Sequence, residues 1–166
     1  MVFILYNKLE TMKNKILSLS LFFFLGTLFS FAQTKVSASK IMNDIKNGKD
    51  ISYKNAVITG VLDFTYMDDA LPKLPRKKRW YNSGNKSNKI EKIIKSKVSF
   101  VNCTFEEDVL AYIPHEDSGY TFTASFNDDA IFKNCTFKEM AMFKYSDFEE
   151  KANFEGTRFN DVSTFK

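Results

Sequence analysis

The stretch Ala124–Lys166, ASFNDDAIFKNCTFKEMAMFKYSDFEEKANFEGTRFNDVSTFK, decides the fold. Phenylalanine returns in it at Phe126, Phe132, Phe137, Phe143, Phe148, Phe154, Phe159 and Phe165, in steps that alternate between six and five residues. Two positions before each ring stands a small residue: Ala124, Ala130, Cys135, Ala141, Ser146, Ala152, Thr157 and Ser163. A helix of about 3.6 residues per turn would carry successive rings around its cylinder, so this is not one helical face. A plain strand alternates with period two, whereas here mostly polar residues separate each Phe from the next small residue. The pattern needs a chain that points a small and then a large residue inward, turns a corner, and repeats. A solenoid of short stacked β faces does this, and each coil relies on its neighbours to bury its rings.

The units Ala152-Asn153-Phe154-Glu155-Gly156, Thr157-Arg158-Phe159-Asn160-Asp161 and Phe132-Lys133-Asn134-Cys135-Thr136-Phe137 resemble pentapeptide repeats. The resemblance covers residues 97 to 166 and, more weakly, 56 to 66. It implies an all-β solenoid, a right-handed quadrilateral parallel β-helix, in which the central residue of each unit and the residue two before it fill the column. This chain uses Phe where the pattern favours Leu and adds a sixth residue in alternate units, which is expected to bulge at a corner. Four such faces make a coil of about twenty-two residues. The eight Phe residues are then a structural ladder, not an aromatic stripe for stacking bases or sugars.

The N-terminus reads as an address. From Met12, Lys13-Asn14-Lys15 is a basic region, Ile16 through Phe31 is an almost unbroken apolar run, and Ser30-Phe31-Ala32 places small residues at the −3 and −1 positions. This is the pattern of a Sec-type signal peptide over residues 1–32, cleaved after Ala32, with Met12 as an alternative start. The expected location is periplasmic or extracellular; the alternative is a chain anchored by an uncleaved signal, for which the apolar run is short. Residues 33–50 read as a linker and capping helix. Ser37 or Ser39 supplies the N-cap, Ile41, Met42 and Ile45 the apolar face, and Gly48 the stop. Such a helix would cover an open solenoid end. The solenoid is expected over 51–166, its first faces carrying Ala56 with Ile58 and Leu62 with Phe64.

Two stretches interrupt the ruler, at about 67–96 and 107–121. The first holds nine Lys or Arg against three acidic residues, whereas 97–166 holds seven against thirteen, within a chain of net charge +4. Arg76, Lys77, Lys78, Arg79 and Trp80 form a candidate patch for an anionic partner such as a membrane surface; the alternative is a solvated loop folded back on the acidic column. The second interruption holds the only histidine, His115, beside Glu116 and Asp117. Three consecutive loop residues rarely converge on a metal, and no nucleophile or oxyanion element accompanies them. Cys103 and Cys135 stand in matching contexts, Asn-Cys-Thr-Phe, in the small inward slot. Buried free thiols suit that slot; a disulfide would require both on the same or adjoining faces.

The sequence therefore predicts a non-enzymatic exported protein, with no cofactor and no small-molecule substrate, acting as a scaffold or protein-binding module. Its partner is an unidentified protein, or a second copy meeting it end to end past Phe165. The alternative is an acidic DNA mimic that inhibits a nucleic-acid-binding protein such as gyrase, a property of some members of the resembled family. The export signal and the basic insertion speak against that reading and against nucleic acid as a partner.

Overall fold

The computed structural model describes residues 33–74 and 88–165. The expected signal peptide lies outside them, and the described residues belong to one compact unit. The chain enters as β1 (Thr34–Ser37), turns through α1 (Ala38–Lys46), and runs through β2 (Ile51–Lys54), β3 (Ala56–Thr59) and β4 (Leu62–Asp63). After α2 (Met67–Ala70) and a 3-10 turn, Leu71–Lys73, it resumes at β5 (Lys89–Ile94), β6 (Val98–Val101), β7 (Thr104–Phe105) and β8 (Val109–Leu110). A hairpin of β9 (Tyr112–His115) and β10 (Tyr120–Phe126) follows, then β11 (Ala130–Lys133), β12 (Thr136–Phe137) and β13 (Ala141–Met142). The last coil contributes β14 (Ala152–Asn153), β15 (Arg158–Phe159) and β16 (Ser163–Thr164).

These strands stack as four faces, a quadrilateral parallel β-helix. The first face is β2-β6-β11-β14, the second β1-β3-β7-β12-β15 and the third β4-β8-β13-β16. The fourth is β5 beside β10, extended by a parallel bridge from Phe126 to Phe148. Every ladder is parallel except the β9–β10 hairpin. Register follows the ruler: Ala130 sits opposite Val98 and Ala152, and Phe137 opposite Phe105 and Phe159.

Because equivalent Phe residues fall in register, each face carries its own ring stack. Phe105, Phe137 and Phe159 lie 4.6 and 5.1 Å apart, 9° and 7° from parallel. Phe100, Phe132 and Phe154 stack at 5.6 and 5.1 Å, Phe126 on Phe148 at 5.2 Å, and Phe143 on Phe165 at 5.3 Å. Between faces the rings meet edge to face, as Phe132 does Phe143 at 66°; both geometries suit the ring quadrupole. The small partners leave room for this. Ala124, Ala130, Cys135 and Ala141 are buried, as are Phe126, Phe132, Phe137 and Phe143. Burial then declines: Phe148, Phe154 and Phe159 are half-buried, and Phe165 is 47% exposed.

The corners explain the recurrent asparagines. Asn55, Asn102 and Asn134 all take positive φ, near 52°, in stacked positions after the first face, and Gly156 occupies the next at 67°. Asn tolerates this left-handed conformation better than most side chains do. Asn102 Nδ2 donates to Asn55 Oδ1 at 3.1 Å, which ties the corners of two coils together.

At the N-terminal end, Ser37 caps α1 by accepting from Lys40 N–H at 3.3 Å, and Gly48 at φ 73° closes it, donating to Ile45 O at 2.9 Å. Ile41 and Ile45 join the same core cluster as Ile51, Ile58 and Leu62. The helix thus covers the end of the column.

Candidate functional site

The sides of the column are built from residues that immediately precede each inward pair. At the corner leading into the first face these are Asp50, Lys97, Asp129 and Lys151, before Ile51, Val98, Ala130 and Ala152. Lys97 Nζ lies 2.6 Å from Asp129 Oδ2, and the Lys97 N–H donates to Asp50 Oδ1 at 3.0 Å. The hydrogen bond from Lys97 holds the Asp129 carboxyl below its ordinary range, and the same bond raises the Lys97 ammonium. Elsewhere Lys138 meets Glu106 at 2.7 Å and Lys133 meets Glu155 at 3.0 Å, each joining one coil to the next. At the corner before the first face, charge therefore alternates in sign from coil to coil. Nothing in the Phe ruler announces these ladders, although the residue before each inward pair could have been read for them.

The corner between the second and third faces differs. There Val61, Asp108, Met140 and Val162 precede Leu62, Val109, Ala141 and Ser163. Val61 is 49% exposed, Val162 56% and Met140 38%. Acidic residues edge this apolar ridge: Glu107, Glu139 and Asp161. Glu107 accepts from Gly60 N–H at 2.5 Å and Asp108 from Met140 N–H at 3.0 Å, which fixes the corner's shape. Asp108 separates Val61 from Met140, so the continuous apolar part of the ridge is Met140 and Val162 on adjoining coils, edged by Glu139 and Asp161; exposed apolar side chains bordered by one sign of charge suit a protein contact.

A concavity of about 210 Å³ opens where α1 ends, lined by Ile45, Gly48, Tyr66 and Ile94 with Lys46, Lys92 and Lys95 at its rim. Tyr66 donates its hydroxyl to Met42 O at 2.8 Å, and Lys92 Nζ stands 5.0 Å from its ring centroid. Lys46 is engaged by Asp69 at 2.5 Å.

The sequence-predicted candidates fall as follows. Arg76, Lys77, Lys78, Arg79 and Trp80 lie outside the described residues. His115 ends β9; its Nδ1 lies 2.9 Å from Ser118 Oγ, and its ring meets Phe122 edge-on at 6.3 Å. Ser118 Oγ also accepts from the Tyr120 N–H at 3.2 Å, so both groups shape the hairpin turn, and Glu116 and Asp117 are exposed on it. Within the expected second interruption, Val109 and Ala111 are buried column residues, and the departure runs through the hairpin after them. Cys103 and Cys135 are both buried and fall on the second face in adjoining coils, one directly above the other. Among the described residues, no group of three His, Cys, Asp or Glu side chains could hold a metal, and no helix is long and apolar enough to cross a membrane.

Residues 122–166 match the family model described as pentapeptide repeats (9 copies). Neither a curated protein nor a solved structure matches the chain.

Proposed function

Residues 122–166 being pentapeptide repeats, we propose that the protein is an exported, non-enzymatic binding module whose rigid column presents the Met140–Val162 ridge to a protein partner. The exposed apolar line on a ring-packed scaffold carries this reading, because nonpolar side chains held outward on a stiff frame gain by being covered without any ordering cost in the frame. The carboxylates of Glu139 and Asp161 select a partner segment with an apolar residue flanked by Lys or Arg. The basic residues Arg76–Arg79 supply a second, electrostatic contact to an anionic surface, and the rings around Phe165 a seat for a second copy. The coil-to-coil alternation of charge at Asp50, Lys97, Asp129 and Lys151 weighs against a DNA mimic, which needs one continuous negative field.

Two measurements test it. Fractionation of cells expressing the full chain is expected to place a species beginning at Gln33 in the exported fraction; an unprocessed cytoplasmic protein overturns the export part. A photocrosslinking side chain at position 140 in intact cells is expected to give one adduct that Val162→Lys abolishes, while the same probe at Ser99 gives none. Equal labelling at both sites overturns the ridge. Inhibition of gyrase supercoiling by the purified column would favour the mimic instead.

A further inference from the structure

The column's interior is apolar apart from a few groups, and two of those are thiols that the fold has no packing reason to pair. The small slot on the second face is filled by Ala56, Cys103, Cys135 and Thr157 in turn, so Ala or Thr serves there as well as Cys. The two cysteines are nevertheless consecutive. Thr104 is in register with Thr136 and Phe105 with Phe137, which puts Cys103 and Cys135 on neighbouring parallel strands at the same height. Strands in such a ladder lie about 4.8 Å apart, inside the roughly 4.4–6.8 Å range of Cα separations that a disulfide spans.

The sulfurs take equivalent positions in the two coils. The Cys135 thiol lies 3.4 Å from Phe100 O, in the coil that contains Cys103, and 3.5 Å from Lys133 O in its own. The Cys103 thiol reaches Tyr53 O at 3.6 Å and Val101 O at 3.5 Å. Both side chains are closed off from solvent in the folded column, so neither can reach a second molecule there.

We propose that Cys103 and Cys135 are a dithiol that closes to an intramolecular disulfide, a covalent staple between two successive coils, by exchange with a small-molecule or protein disulfide. The two thiols occupy equivalent slots on stacked strands, so the exchange can begin at either one, here Cys103. The Cys103 thiolate attacks one sulfur of the donor disulfide, forming a mixed disulfide and releasing the donor's first half as a thiol. Cys135, losing its proton, then attacks the Cys103 sulfur and releases the second half. Two protein thiols become one disulfide, the donor disulfide becomes two thiols, and both protons leave on the donor. Because the pair is buried, the exchange takes place as the coils open or before they close, so the oxidising environment in which the chain folds sets the state. The inference does not depend on which partner the ridge binds.

The test refolds residues 33–166 in a glutathione buffer rich in the oxidised form, and in parallel in a reducing one. The oxidised sample is expected to lose two mass units, to resist alkylation after denaturation, to migrate as a monomer without reductant, and to melt on the order of 10 °C above the reduced sample. Cys135→Ser is expected to abolish the mass loss and the difference in melting, while its reduced melting temperature stays close to that of the reduced native chain. Two free thiols in the native protein after oxidative refolding, a stable glutathione adduct on Cys103, or a covalent dimer would each overturn the proposal. So would an oxidised form that melts below the reduced one.

Discussion

At single positions, the column's tolerance is set by how close one coil comes to the next. Gly156 shows the tightest case: a Cβ there would collide with Asn134 Oδ1, on a backbone already at φ 67°. Gly156→Ala is expected to cost about 2 kcal/mol, part from left-handed strain and part from the collision. In an Asn134→Gly background only the strain remains, so a double-mutant cycle read by urea denaturation should show coupling of about 1 kcal/mol. The Phe ladder gives a graded counterpart. Phe132 is sealed between Phe100 and Phe154, so Phe132→Ala should cost about 3–5 kcal/mol. Phe165→Ala, at a ring nearly half in water, should cost well under half of that. Equal losses at the two sites would mean that stacking, not burial, dominates. These rings were legible in the sequence because Phe is large and regular. The Asn corners were harder to read, since an exposed Asn has many uses and only its stacked backbone conformation reveals this one.

Among the elements, β3 and β4 follow the rule read from the ruler, with Ala56 and Ile58, then Leu62 and Phe64, all buried. The strands that escaped it break the size order for physical reasons. In β5 the small slot opposite Ala124 holds Lys92, which escapes to solvent over Tyr66 where, among the described residues, no strand of the first coil stacks above it. Around β8 the pair is Val109 and Ala111, large before small, so the ruler hides it. In β2, Tyr53 takes the place of a Phe and stacks on Phe100 at 6.0 Å. The capping helix was readable because Ser37, the Ile spacing and Gly48 are local signals. Its junction with the column was not, since that rests on Tyr66 donating to Met42 O. Burial, with Asp69 and Asp63 nearby, pushes the Tyr66 phenol from 10.0 up to about 12. The folded state holds this proton more tightly than the unfolded chain, so its stabilisation is intact below pH 10 and lost as pH rises toward 12. The urea midpoint should accordingly fall more between pH 9 and pH 11 in the native chain than in Tyr66→Phe, which lacks the phenol's proton. Identical slopes would show that the helix junction does not sense it.

Over the whole column, the charge ladders and the insertions act at longer range. Lys97→Glu would set three acids in a row with Asp50 and Asp129, so it should lower stability at low salt and recover much of the loss at about 1 M salt. A loss that salt does not relieve would point to packing of the lysine stem instead. The two insertions matter in a different way. Both leave the helix at the same corner, between the third and fourth faces: one after Phe64, at Tyr66, the other after Ala111. The next coil has Tyr145 at that place, 53% exposed and again at positive φ. The fold therefore has one expansion joint, where chain can be added without shifting any rung, because the strand after it re-enters on the existing ladder. A ten-residue polar loop placed between Lys144 and Tyr145 should leave the far-ultraviolet spectrum and cooperative melting in place, whereas the same loop between Asp128 and Asp129, inside the charge ladder, should abolish them. If so, the corner that already carries this protein's irregular segments is also where new recognition loops can be grafted onto it.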